Sequence, residues 1–136
     1  MTVVIALSKP KVDEVYYYIS EEDFMRSVIQ IASDCGWFVY HTPDSRRSQA
    51  GFPDLTLVSR TGDIIFTELK SQKGRIRKEQ QEWLDRLREN GHIDVYLWRP
   101  SDLQDIIKRL SGGSNLEHPF EAVRAANEKL MGHSKE

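Results

Sequence analysis

The chain has 136 residues, 39% of them hydrophobic and 29% charged, with a formal net charge of −2. This length suits one domain with a single core. A lone cysteine, Cys35, excludes an internal disulfide and fits a reducing, cytoplasmic setting. The longest apolar run near the start, Val3 to Leu7, is too short for a membrane span and lacks the basic flank of a signal peptide.

In chain order, residues 1–19 form an extension in which TVVIAL and VDEVYYYI read as strand candidates. Such strands either cover an edge of the core or pair between two subunits. Ser20, with Asp23 three residues on, resembles a capping box that starts a helix. Phe24, Val28, Ile31, Ala32 and Cys35 make one apolar face, and Gly36 stops the helix. Cys35 is expected in that core rather than as a reactive thiol. Trp37 to Thr42 reads as a strand, with His41 near its end as an ordinary structural histidine. The polar loop from Pro43 to Phe52 carries Arg46 and Arg47, and its Gly51 suits a close backbone approach.

Two short apolar runs follow, LTLV and IIFT, joined by Arg60, Thr61 and Gly62 around a turn. A three-residue hairpin loop ends in a residue with positive φ, which suits Gly62. Ser59 then pairs with Asp63, and paired residue numbers sum to 122. Asp54 falls opposite Glu68, with Cβ atoms roughly 5 Å apart. Lys70, two residues beyond Glu68, shares their face. A two-residue loop would shift the register by one and separate them. Two carboxylates this close repel, and a divalent cation is the natural counter-charge.

From Lys70 to Lys78 the chain holds five basic residues and no acid. A net charge of −2 argues against a general nucleic-acid binder, but this run sits directly beside the acidic pair. Next comes a helix from about Lys78 to Glu89, with Gln80, Trp83, Leu84 and Leu87 facing inward and Asn90-Gly91 closing it. Asp94 to Arg99 reads as a strand, parallel to either WFVYHT or IIFTELK because a helix separates it from the hairpin. Ser101 and Gln104 suggest a capping box for a final helix buried through Leu103, Ile106, Ile107 and Leu110. Residues 111–136 read as a Gly/Ser joint followed by a short helix, Pro119 to Met131.

Pro53-Asp54, then Glu68-Leu69-Lys70 on the next strand, resembles the PD-(D/E)XK nuclease signature. With Gly36-Trp37 before it, and Gly74-Arg75, Gln80, Trp83-Leu84 and Trp98-Arg99-Pro100 after it, residues 20–110 resemble the VRR-NUC branch, especially its stand-alone phage members. The resemblance implies a restriction-endonuclease-like α/β core: a central mixed sheet flanked by helices in the order α-β-β-β-α-β-α. It also implies a metal-dependent endonuclease acting on DNA, with Mg²⁺ or Mn²⁺ held by Asp54, Glu68 and the Leu69 carbonyl. Lys70 would act in catalysis, Glu21 would reach the metal site from its helix, and the Gln80 amide would hold a water or Lys70. Arg46, Arg47, Lys73, Arg75 and Arg77 would grip the DNA backbone. Stand-alone members resemble junction resolvases, so a homodimer acting on branched DNA is the leading expectation. A packaging or restriction-type nuclease on duplex DNA is the runner-up. The rival from another class is a non-catalytic nucleic-acid-binding protein on the same scaffold.

Overall fold

The computed structural model describes residues 12–44 and 46–112. Within them lie α1 (Val12–Tyr16), α2 (Glu21–Asp34), β1 (Phe38–His41), β2 (Leu55–Val58), β3 (Ile64–Leu69), α3 (Lys78–Arg88), β4 (Asp94–Trp98), a 3-10 turn (Pro100–Asp102) and α4 (Leu103–Leu110). From α2 onward this is the expected α-β-β-β-α-β-α order. The strands form one mixed sheet in the order β1-β2-β3-β4, antiparallel except for the parallel β3–β4 pair. Of the two candidate partners for β4, IIFTELK is the one chosen. The TVVIAL strand candidate, the helix of residues 119–131 and most of the Gly/Ser joint lie outside the described residues.

The hairpin has the register read from its turn. Leu55 pairs with Thr67 and Val58 with Ile64, each pair summing to 122. Ser59 N–H donates to the Asp63 carbonyl at 2.9 Å, and Gly62 sits at φ +88°. The Ser59 hydroxyl tightens the loop by accepting from Asp63 N–H at 2.9 Å and Thr61 N–H at 3.2 Å. One sheet face, through Leu55, Leu57, Ile65 and Leu69, is fully buried. It shares one core with Phe24, Val28, Ile31 and Ala32 of α2 and Leu103, Ile106, Ile107 and Leu110 of α4. On the other face Phe52 meets Phe66 of β3 and Trp83 of α3 edge-on, at ring-centroid distances of 5.9 and 5.0 Å.

Ser20 caps α2, its hydroxyl accepting from Asp23 N–H at 3.1 Å. Two other expectations are corrected. VDEVYYYI is not a strand: Val12–Tyr16 is a short helix continued by a turn. Tyr16 packs against the core and Ile19 is buried, a three-residue spacing, whereas Tyr18 points into solvent. A strand would have put Tyr16 and Tyr18 on one face. Nor does Ser101 cap the last helix. Pro100 opens a 3-10 turn capped at Arg99, whose N–H donates to Asp102 Oδ2 at 2.8 Å, and Asp102 stands at the cap position of α4. The Ser101 hydroxyl is taken by Gln72 Nε2 at 2.8 Å instead.

Candidate active site

Asp54 stands at the mouth of β2 and Glu68 near the end of β3. Thr42, just past β1, anchors the Pro53-Asp54 corner: its N–H donates to the Asp54 carbonyl at 2.9 Å and its hydroxyl to the Pro53 carbonyl at 2.6 Å. The Asp54 side chain crosses to β3, where Oδ2 accepts from Leu69 N–H at 2.8 Å. Glu68, in register opposite, is buried to 1% exposure. Gln80, one turn into α3, donates from Nε2 to Glu68 Oε1 at 3.0 Å and accepts Arg77 N–H on its own Oε1 at 2.8 Å. Gln80 thus orients the carboxylate; the structure records no bond from it to Lys70. Lys70, mostly buried, has its Nζ 3.6 Å from Glu21 Oε1. The neighbouring Glu22 is committed to Arg26 on its own helix, at 2.6 Å. Of the two acids at the start of α2, Glu21 is therefore the one that reaches the site.

Burial raises the Glu68 carboxyl to about pKa 9, and the adjacent Asp54 carboxyl and Glu21 push the same way, while Lys70 opposes them. Glu68 Oε2 is buried without a hydrogen-bond partner. Two acceptors side by side with no donor between them need either a proton or a cation. The described residues contain no group of three or more His, Cys, Asp or Glu able to hold a metal. Mg²⁺ does not need one, since it is held through one or two carboxylates and keeps several waters. Asp54 and Glu68 fit that requirement, with Glu68 Oε2 as the orphaned donor atom. The contact recorded for Leu69 at the site is through its N–H.

A cleft of about 310 Å³ opens beside the pair, lined by His41, Asp44, Gly51, Asp54, Arg77 and Gln80 among others. The close approach expected at Gly51 is to a neighbouring helix. At φ +87°, a Cβ there would lie 2.6 Å from the Glu79 carbonyl of α3. Trp83 Nε1 donates to the Ala50 carbonyl at 3.2 Å, which ties the loop to α3 beside that approach. Arg46, Arg47, Lys73, Arg75 and Arg77 are all exposed. Arg77 lines the cleft, whereas Arg46 and Arg47 stand outside its lining. Backbone bonds to Asp44 hold the turn that carries them.

Two contributions escaped the sequence reading. Arg99 Nη1 donates to the carbonyls of Gly74 at 2.7 Å, Ser71 at 2.8 Å and Gln72 at 3.4 Å, stapling the basic loop to the end of β4. Its only sequence signal is its place in Trp98-Arg99-Pro100. The other is Tyr17, whose ring lies under Lys73, with Nζ 4.5 Å from the centroid. Reading YYY as strand hid it.

No curated protein matches the chain significantly, and neither does any solved structure. A family model, the VRR-NUC domain, matches residues 14–108. That span takes in both strands of the acidic pair, the Glu21 helix, the basic loop and Arg99. The chain therefore belongs to the VRR-NUC domain family, nucleases of the PD-(D/E)XK type.

Proposed function

We propose that the protein is a divalent-metal-dependent DNA endonuclease that hydrolyses phosphodiester bonds in branched DNA, acting as a homodimer. The observation that carries this reading is the Asp54–Glu68 pair, brought together across the hairpin with a buried, unpartnered Glu68 Oε2. Asp54 and Glu68 would hold Mg²⁺ or Mn²⁺, with the Leu69 carbonyl completing the set. When bound, the ion would supply Lewis-acid chemistry, acidifying water and offsetting charge on the phosphate. Lys70, whose Nζ lies 3.6 Å from Glu21, places an ammonium where negative charge builds on the phosphoryl oxygens. Gln80 fixes the Glu68 carboxylate, so the pair enters the reaction already oriented. The exposed Lys73, Arg75, Arg77, Arg46 and Arg47 bind backbone phosphates and position the strand without reading bases.

A two-fold dimer would supply two sites for two symmetric strands. Support comes from β1, an edge strand among the described residues, whose Phe38 and Tyr40 are exposed, a surface suited to a second copy. Purified protein with Mn²⁺ or Mg²⁺ is expected to cut a four-way junction. Asp54→Ala or Lys70→Ala should lower cutting by at least about 100-fold while junction binding persists. Equal rates on linear duplex would favour a packaging or restriction-type enzyme. Binding without cutting under either metal would leave a binding protein on a nuclease scaffold. Sedimentation should give a dimer, and a monomeric species that still cuts both junction strands would remove the two-fold arrangement.

A further inference from the structure

Tyr17 and Tyr18 take no part in the chemistry above, yet their side chains are 50% and 88% exposed. Apolar area of this size left in water usually meets something. The turn that carries the two rings is anchored. Tyr16 packs against the core on one side and Ile19 is buried on the other. Backbone bonds from Tyr17 N–H to Glu14, Tyr18 N–H to Val15 and Ile19 N–H to Tyr16, at 3.2, 3.2 and 3.3 Å, fix the turn between them. A ring carried on a fixed backbone, and for Tyr17 already set against Lys73, loses less freedom when something stacks on it.

The position of the turn is informative. Two contacts join residues 17–21 to residues 70–73: Glu21 with Lys70 at 3.6 Å, and Tyr17 with Lys73 at 4.5 Å. Tyr17 therefore stands between the end of β3, where the acidic pair lies, and the basic loop, with Tyr18 next to it in the chain and open to solvent. Helix α1 also packs against the 3-10 turn next to Arg99, the residue that staples that loop.

We propose that Tyr17 and Tyr18 form a stacking platform for an unpaired nucleobase of the substrate, beside the phosphate to be cut. This rests on the nuclease reading and names what makes a DNA acceptable to it. Aromatic rings stack on any base regardless of sequence, but a base inside a duplex has both faces covered by its neighbours. Only a nucleotide freed from the stack, at a branch point, a flap or a frayed end, presents a face to the platform. Lys73 is placed to engage that nucleotide's phosphate and to add a cation–π contribution. Selection is thus for an unstacked base rather than for a branch angle.

The test uses the full chain in EDTA, where hydrolysis is withheld, and DNA carrying 2-aminopurine at the branch nucleotide of a flap or at the same place in a perfect duplex. Binding of the flap should quench the fluorescence. Tyr18→Ala should abolish the quench and weaken flap binding about tenfold, with duplex affinity changed by less than about twofold. Tyr18→Phe should behave as wild type, and Tyr18→Leu, apolar but not flat, should behave as Tyr18→Ala. Equal losses on flap and duplex, or a Leu variant indistinguishable from wild type, would overturn the platform. The nuclease reading fails separately: a wild-type chain that quenches the flap base but cuts nothing with Mn²⁺ keeps the platform and loses the enzyme.

Discussion

Glu68 is the residue on which charge, burial and register converge. Its carboxyl is raised from 4.5 to about 9 in the folded chain, burial being the larger cause and Asp54 the next. The native state therefore binds a proton that the unfolded chain releases above about pH 4.5. That contribution to stability is complete below pH 4.5 and is lost as pH rises toward 9. Thermal unfolding in EDTA should show wild-type stability declining across this window, and Glu68→Gln, neutral throughout, should remove most of the decline. A slope that persists in the Gln variant would place its origin in other groups. Cutting at limiting Mn²⁺ should rise over the same range, because metal and proton compete for Glu68. Gln80 acts through Glu68. Its removal leaves Oε1 without the amide donor, and Gln80→Ala should weaken Mn²⁺ binding about 10- to 100-fold in calorimetric titration. Asp54, Glu68 and Lys70 were legible in sequence as a trio because alternation along two strands and one turn length place them. The Gln80–Glu68 bond was not, because it depends on where α3 settles over the sheet.

Among the elements, the hairpin and the loop before it show how differently two glycines are constrained. Gly62 has positive φ and open space where a Cβ would be, so Gly62→Ala should cost only backbone strain, about 1 kcal/mol. Gly51 has positive φ and the α3 backbone 2.6 Å from that Cβ position. Gly51→Ala should therefore destabilise more than Gly62→Ala in denaturant unfolding, and should also slow cutting, since the loop and α3 together line the cleft. Equal costs would mean the loop yields freely. The hairpin could be read because turn chemistry and apolar alternation act locally. VDEVYYYI could not: Val15, Tyr16 and Ile19 suit a helical spacing, while the same stretch also satisfies strand propensity. Contact with the 3-10 turn decides between them.

For the molecule as a whole, a net charge of −2 conceals a division between the acids of the site and the exposed arginines and lysines beside it. If Arg46, Arg47, Lys73, Arg75 and Arg77 all reach phosphates, log K for duplex DNA should fall with log[salt] at a slope of about −4.5. Arg75→Ala should reduce that slope by about 1 and weaken every sequence alike; an unchanged slope would remove Arg75 from the contact surface. No helix among the described residues is long and apolar enough to cross a membrane. The order of helices and strands, the 122-sum register and the pairing of Asp54 with Glu68 were set by sequence-local physics, namely side-chain period, turn length and the conformational freedom of glycine. The third dimension decided the rest: Glu21 against Lys70, Gln80 on a carboxylate, Arg99 across the basic loop and Tyr17 under Lys73. Each of these joins residues distant in the chain, and such contacts form only where packed helices bring them within a few ångströms.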